Sequence, residues 1–248
     1  MKIWNFNCIF GGEANMDFTN KWNMTKKENI FVAKRNIIDY IWKSANLEGI
    51  GVTYPDTETI CDGMTVDGYT IKDTLAVNNL KHAWMFVLDN IDYPMDYSFI
   101  CKVNQIIGGT NWQPDLPDED EIKEQLNFVL SIEKPLERAV NLMLYCVRKQ
   151  MFLDGNKRTS MLVANQIMIA NGCGIISVPL EKQRAFIDLL VSFYTSNNIE
   201  DIAKFILDEC IDGIDFRTQE MNQSIEKDVT NHFSTPTQSR DDDEDMEL

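Results

Sequence analysis

Along most of this chain apolar residues recur at the three-and-four spacing of a helix face, with polar or glycine-rich breaks between the runs. The first clear run follows Thr25. A Thr followed three residues later by Glu, here Thr25 and Glu28, is the pattern of a capping box. It predicts a helix to about Leu47 that buries Ile30, Ile37, Ile38, Ile41 and Trp42 and stops at Gly49. Residues 50–70, rich in Gly, Thr and Asp, predict a small β-hairpin or an ordered loop. Beyond them Ile71, Leu75, Trp84, Leu88 and Ile91 fit one helical face. Asp96 is placed to cap a helix carrying Phe99, Ile100, Val103 and Ile107. The stretch GGTNWQPDLP breaks the pattern, and helices follow at about 118–132, 135–149, 156–171, 181–196 and 199–211. Short connectors between so many helices predict an all-α domain with antiparallel neighbours. Residues 1–24 mix Trp4, Phe6, Phe10, Phe18 and Trp22 with polar residues at no clear period, which predicts irregular structure wrapped on the core.

Composition narrows the class of partner. The 248 residues suffice for one sizeable core or for one domain with extensions. Lys and Arg number 23 against 39 Asp and Glu, a formal charge of -16, which argues against nonspecific binding to nucleic acid or to an anionic membrane. A protein or a metal-complexed small anion is the expected partner. Six cysteines lie scattered with no C-x-x-C pair and read as reduced core residues of a cytoplasmic protein. No apolar run approaches the length of a membrane span. The tail from about Thr218 ends in DDDEDMEL, with six acidic side chains in eight residues, and such a self-repelling block reads as disordered. Nothing in the sequence fixes an oligomeric state.

The chemistry concentrates at Arg148–Ser160, RKQMFLDGNKRTS, where Asp154, Gly155, Asn156, Lys157 and Arg158 are consecutive between two helical segments. Backbone N–H groups at a helix start lack intrahelical partners and carry the positive end of the dipole, so they favour an anion. Gly155 allows close backbone approach, and Lys157 and Arg158 add charge that is locally unfavourable unless something negative binds. Asp154 would oppose a phosphate unless a divalent ion lay between them, the usual way Mg2+ is held. The residues alone fit a solvated turn equally well.

The stretch resembles the signature of the Fic (Fic/Doc, fido) family, His-Pro-Phe-any-Asp/Glu-Gly-Asn-Gly/Lys-Arg. Phe152 falls on the family's core phenylalanine, Asp154 on its metal-binding acid, Gly155 and Asn156 on its anion-hole pair, Lys157 on its Gly/Lys position and Arg158 on its phosphate-binding arginine. The resemblance covers roughly residues 71–215 and implies an all-α, Fic-like helical bundle with a short flap or hairpin. It also implies that the chain binds ATP and Mg2+ and transfers AMP to a hydroxyl of a target protein. Residues 1–70 then form an N-terminal extension and residues 216–248 the acidic tail. Residues 106–117, IIGGTNWQPDLP, are similar to the family's target-docking flap, with Thr110, Asn111 and Trp112 as its edge; an ordinary interhelix loop with Trp112 packed inward is the other reading. SANLEG, with Ser44, Glu48 and Gly49, resembles the family's inhibitory-helix motif, here on the helix at 25–49, whose glutamate competes with the γ-phosphate.

Three positions depart from the pattern. Gln150 occupies the place of the catalytic histidine and cannot accept a proton from a target hydroxyl. General-base catalysis is worth about 10² to 10⁴ in rate, or roughly 3 to 5 kcal/mol of barrier. His82 falls on a predicted helix and His232 in the tail, so neither replaces it. Met151 replaces the family's proline, and Met161 stands where many members carry a second arginine that pairs with the inhibitory glutamate, a partnership Lys157 or Arg158 would have to take over. Lys157 is found in the Doc-like phosphotransferase branch, but Gly155 is kept here where that branch has lost it. Three readings follow: a slow adenylyltransferase, a nucleotide-binding regulatory protein without turnover, and a Doc-like phosphotransferase.

Overall fold

The computed structural model describes residues 16–108 and 119–216. The proposed flap edge at Thr110, Asn111 and Trp112, residues 1–15 and the acidic tail beyond Phe216 lie outside the described residues. The elements that follow belong to one compact unit ending at Ile214.

Residues 16–25 are irregular and pack inward, with Phe18 buried and the Trp22 indole donating to Ile211 O at 3.3 Å. At Thr25 the capping box closes: Glu28 N–H donates to Thr25 Oγ1 at 3.2 Å and Thr25 N–H to Glu28 Oε2 at 2.7 Å. The single helix expected from 25 to 47 is two helices, α1 Lys26–Arg35 and α2 Ile37–Leu47, interrupted at Asn36 with φ -104° and ψ 14°. Asparagine is a poor interior helix residue because its side chain competes for backbone partners, and the break resets the helical phase. In consequence Ile41 alone of the five expected core residues is fully buried; Asn29, Val32, Ala33, Tyr40, Ser44, Ala45 and Leu47 take the other inward places.

Residues 54–61 correct a second expectation, since they form helix α3 Tyr54–Cys61 where a hairpin or loop was predicted. Thr53 Oγ1 accepts from Asp56 N–H at 3.2 Å, and Pro55 sits in the first turn, where its missing N–H costs nothing. The cap outweighs the glycine and threonine content of the flanks. Helix α4, Ile71–Asp89, starts from a Thr70–Asp73 capping box and buries Val77, Leu80, Ala83, Trp84, Val87 and Leu88. Ile71 and Leu75 are not on that face: they are 81% and 55% exposed, and no residue of α4 before Val77 is buried.

Asp96 caps α5, Tyr97–Ile107, by accepting from Phe99 N–H at 2.7 Å, and the helix buries the four apolar residues expected of it. Helices α6 Glu119–Leu130, α7 Pro135–Lys149 and α8 Asn156–Ala170 follow. A 3-10 turn, Leu180–Lys182, leads into α9 Gln183–Ser196, and α10 Glu200–Glu209 completes the helices. Strands β1 Ile175–Ile176 and β2 Ile211–Asp212 pair antiparallel, Ile176 against Ile211, and were too short to leave a two-residue alternation in the sequence.

The centre of the bundle is α8, buried on all sides from Arg158 to Ile169 and packed along α7. Its buried amides are all bonded: Asn165 exchanges hydrogen bonds with Ile176 N–H and O at 2.7 and 2.8 Å, and Gln166 donates to Ile91 O and Tyr93 O, both at 2.9 Å. The second half of α8 is thereby tied to β1 and to the segment after α4. Cys61, Cys146, Cys173 and Cys210 are buried, Cys101 is half-buried, and none is in a disulfide. No helix of the described residues is long and apolar enough to cross a membrane.

Candidate active site at the start of α8

Helix α7 ends at Lys149, and Gln150 turns the chain with φ 48° and ψ 50°, a left-handed conformation that costs a non-glycine residue about 1 kcal/mol or more. Its side chain offsets the cost. Nε2 donates to Val147 O at 2.6 Å, satisfying a carbonyl at the end of α7, and to the Tyr194 hydroxyl at 3.2 Å. Oε1 accepts from Asn156 Nδ2 at 3.3 Å. Both ends of the amide are thus committed within the protein.

Asn156 folds the loop on itself. Its Oδ1 accepts from Phe152 N–H at 3.0 Å and its Nδ2 donates to Phe152 O at 2.5 Å, while Met151 and Phe152 pack into the core. Gly155 has φ 79°, and a Cβ there would lie 3.1 Å from both Asn104 Nδ2 and Ile107 Cγ2. Asn104, on α5, donates to Asp154 O at 2.9 Å and to Thr159 Oγ1 at 3.0 Å. Sequence reasoning did not select Asn104. Its signal was an asparagine four residues after Ile100 and one after Val103, on the buried face of α5.

No side chain caps the start of α8. Four charged residues, Asp154, Arg158, Glu48 and Lys157, gather there instead. Asp154 Oδ1 accepts from Gly155 N–H at 2.7 Å and from Arg158 Nη2 at 3.0 Å. Partial burial pushes the Asp154 carboxyl up, but the Arg158 charge and those hydrogen bonds prevail and hold it below its ordinary value. Arg158 is only 7% exposed, and its Nε is buried with no hydrogen bond. Glu48, at the end of α2, places Oε2 3.5 Å from Lys157 Nζ and Oε1 3.8 Å from Arg158 Nε. Those distances make ion pairs rather than good hydrogen bonds. Of the other two residues in its motif, Gly49 has φ 81° and is exposed, and Ser44 is buried on α2. Met161 is buried one turn into α8, and Lys157 and Arg158 supply the positive charge that faces Glu48.

Glu48, Gln150, Asp154, Asn156 and Lys157 line the polar end of a cavity of about 490 Å³ whose other wall is α9, with Ile187, Leu190, Val191 and Tyr194. Burial and the nearby Glu48 charge push the Tyr194 hydroxyl up, against smaller pulls from Arg148 and the Gln150 hydrogen bond, so it stays protonated at neutral pH. Sequence reasoning did not select Tyr194 either, since α9 carried no motif. His82 is exposed on α4 and does not line the cavity. Among the described residues no three His, Cys, Asp or Glu side chains gather as a metal-binding group. A divalent ion here would rest on Asp154 and on oxygens brought by its ligand.

Residues 94–168 match the profile of the Fic/DOC family. The comparison with curated proteins gives no match. Among solved structures the fold is similar to Fic-1 from C. elegans, with TM-score 0.62 and 18% identity, covering 83% of this chain and 67% of that one. It is similar also to a Fic domain containing signaling protein from Bacteroides thetaiotaomicron, with TM-score 0.58 and 16% identity over 74% of this chain and 84% of that one. A Fic family protein from Desulfovibrio desulfuricans gives TM-score 0.55 and 14% identity, covering 86% of this chain and 68% of that one. At such identities the likeness is one of fold.

Proposed function

This chain carries a domain of the Fic/DOC family, and from that premise we propose that it binds Mg-ATP at the start of α8 and transfers AMP to a hydroxyl of a target protein. The observation that carries the reading is Glu48, a carboxylate held between Lys157 and Arg158 beside an uncapped helix start. It stands where an oxyanion of the nucleotide would stand, and its presence there is evidence that the two cations and the helix end accept one.

A nucleotide enters with its nucleoside along Ile187, Leu190 and Val191 of α9 and its phosphates over the α8 start. Arg158 and Lys157 then exchange Glu48 for phosphate oxygens, which makes Glu48 an autoinhibitory group that the nucleotide must displace. Gly155 lets the loop pack against α5, because any Cβ would crowd Asn104 and Ile107. Asp154, two-thirds exposed, is the residue that would hold Mg2+. When bound, the ion neutralises part of the phosphate charge.

In the transfer a bond forms between the target hydroxyl oxygen and the α-phosphorus as the bond from that phosphorus to the bridging oxygen breaks. Pyrophosphate leaves with the electron pair of the broken bond, and the hydroxyl proton passes to water. Gln150 does not take the proton. Its amide instead fixes Asn156 and Tyr194, so this chain relies on positioning and charge stabilisation, which carry most of phosphoryl-type transfer. Turnover is accordingly slow. Thr110, Asn111 and Trp112 are proposed to dock the target segment by main-chain pairing. The unpaired cysteines suit a reducing, cytoplasmic setting.

The commitment of both ends of the Gln150 amide favours a second reading, a nucleotide-binding regulatory protein without transfer. Incubation with Mg-ATP labelled at the α-phosphate separates the two. Label on a target protein that disappears in Asp154→Ala supports the enzyme. Label seen only with Gln150→His supports the regulatory protein.

A further inference from the structure

Residues 21–35 carry five of the chain's 23 Lys and Arg, namely Lys21, Lys26, Lys27, Lys34 and Arg35, and one of its 39 acids, Glu28. The rest of the chain holds 18 cations against 38 acids. This local reversal of sign falls on α1 and the segment leading into it, and all five cations are exposed. On α1 itself Asn29, Val32 and Ala33 turn inward: Asn29 Oδ1 accepts from Gly174 N–H at 2.8 Å, and the helix packs on α8. Lys27, Phe31 and Lys34, at spacings of four and three, share the opposite face, and Arg35 stands one turn beyond Phe31. Ile30 and Phe31 are only half-buried, so part of each apolar side chain meets water among the cations.

The nearby acids are used elsewhere. Glu28 accepts from Thr25 N–H and Thr25 Oγ1 in the cap, Asp39 pairs with Lys43 at 2.6 Å, and Asp92 pairs with Lys26 at 2.6 Å. Lys21 lies over the Trp22 ring, 5.6 Å from its centroid. Among the described residues no acid lies within ion-pair distance of Lys27 or Arg35. Lys34 and Arg35 suit the negative end of the α1 dipole, but Lys27, in the first turn, opposes the positive end and gains from an anion brought by a partner.

We propose that the outward face of α1 docks an acidic segment of a partner protein. Lys27, Lys34 and Arg35 take carboxylates of that segment, and Ile30 and Phe31 take an apolar residue set between them. The helix rises about 12 Å from Lys27 to Arg35, the length of about four residues of extended chain, so a short segment suffices. Charge decides the class of partner. The formal charge of -16 repels a nucleic acid or an anionic membrane, which extends far beyond this patch. A short peptide stays within about 8 Å of the cations, the screening length at physiological salt, and so meets the local positive field. None of these five residues lines the cavity at the start of α8, so a partner held here leaves the nucleotide site untouched.

Fluorescence anisotropy of the full chain with labelled ten-residue peptides tests this. One peptide repeats Glu-Glu-Leu and a second is all glutamate; a labelled oligodeoxythymidine and phosphatidylserine vesicles serve as the other polyanions. Wild type is compared with a triple variant, Lys27→Glu, Lys34→Glu and Arg35→Glu. A control, Lys102→Glu, Lys134→Glu and Lys204→Glu, makes the same change in net charge at exposed positions elsewhere. Melting temperatures check that both variants fold. The Glu-Glu-Leu peptide should bind wild type, weaken tenfold or more in the α1 variant and less than threefold in the control, and lose affinity as salt is raised. The all-glutamate peptide should bind several-fold more weakly. No binding to wild type, an equal loss in the two variants, equal affinity for the two peptides, or tighter binding of the oligonucleotide or the vesicles overturns the proposal, and none of these results bears on the nucleotide site.

Discussion

The Glu48 carboxylate and the Lys157 ammonium face each other at 3.5 Å across the gap between the end of α2 and the start of α8, 109 positions apart in the chain. Lys157 also lies 3.5 Å from Leu47 O, so the end of α2 answers the charge of Lys157 both from its side chain and from its backbone. The Lys157 charge is thus answered from within the chain, and on the proposed function a nucleotide would have to displace Glu48. Glu48→Gln keeps the shape and removes the charge. It should raise the affinity for Mg-ATP several-fold, measured by calorimetry, and change unfolding free energy by less than about 1 kcal/mol, since the pair is partly exposed. Equal affinity in the two proteins would contradict the competition.

Gln150→His restores a group able to accept a proton. On the adenylyltransferase reading it should accelerate AMP transfer by about 10²-fold or more, read as labelled target per minute. The same substitution removes the amide that bonds Asn156 and Tyr194 at once, so a loss of Mg-ATP affinity should accompany the gain. An unchanged rate would show that proton removal does not limit this site.

Asn104 ties α5 to the motif loop through Asp154 O and Thr159 Oγ1. Replacing it by Ala takes the donor from one buried and one part-buried acceptor and should cost about 1 to 3 kcal/mol in urea unfolding. Nucleotide affinity should fall as well, because Gly155 and the first turn of α8 lose their anchor. Stability equal to wild type would show that the anchor is not needed.

Gly155→Ala meets two obstacles together, a φ of 79° and contacts of 3.1 Å to Asn104 and Ile107. The expected cost is about 1 to 2 kcal/mol of stability. Binding of Mg-ATP should be lost even where the fold survives, as judged by circular dichroism.

Acid should expose the role of Asp154. Its folded carboxyl titrates below the ordinary value of 3.8, with Arg158 and the Gly155 N–H prevailing over the opposing effect of burial. Ionised Asp154 therefore stabilises the fold above that ordinary value, and the contribution is lost as pH falls through the lower folded value. The side chain is largely exposed, so the effect is less than about 1 kcal/mol. Wild type should exceed Asp154→Asn in unfolding free energy at pH 6, and the difference should shrink on acidification below about pH 3.5. A constant difference across that range would refute the assignment.

Where side chains dictated local structure, the sequence could be read closely. Pro135 and the run to Lys149 marked both ends of α7, and Thr25 with Glu28 marked the start of α1, because caps and first-turn prolines act through residues a few positions away. The same chemistry at Thr53 and Asp56 was hidden by the glycines and threonines around it, and α3 was missed. Asn36 interrupted one expected helix by competing for backbone partners, and Ile71 and Leu75 kept a helical spacing although no residue of α4 before Val77 is buried. Periodicity reports which residues share a face but not what that face meets. The loop from Gln150 to Arg158 stood out as a cluster because its members are consecutive. Asn104 and Tyr194 did not, since each reaches the loop only through the packing of a separate helix.

Calorimetric titration of Glu48→Gly with Mg-ATP, alone and combined with Arg158→Ala, bears most directly on whether the start of α8 is a polyphosphate site. Binding in the single variant that weakens tenfold or more in the double variant, about 1.4 kcal/mol or greater, is the predicted result. No heat of binding in a well-folded Glu48→Gly protein, or equal affinity with and without the Arg158 guanidinium, would contradict it.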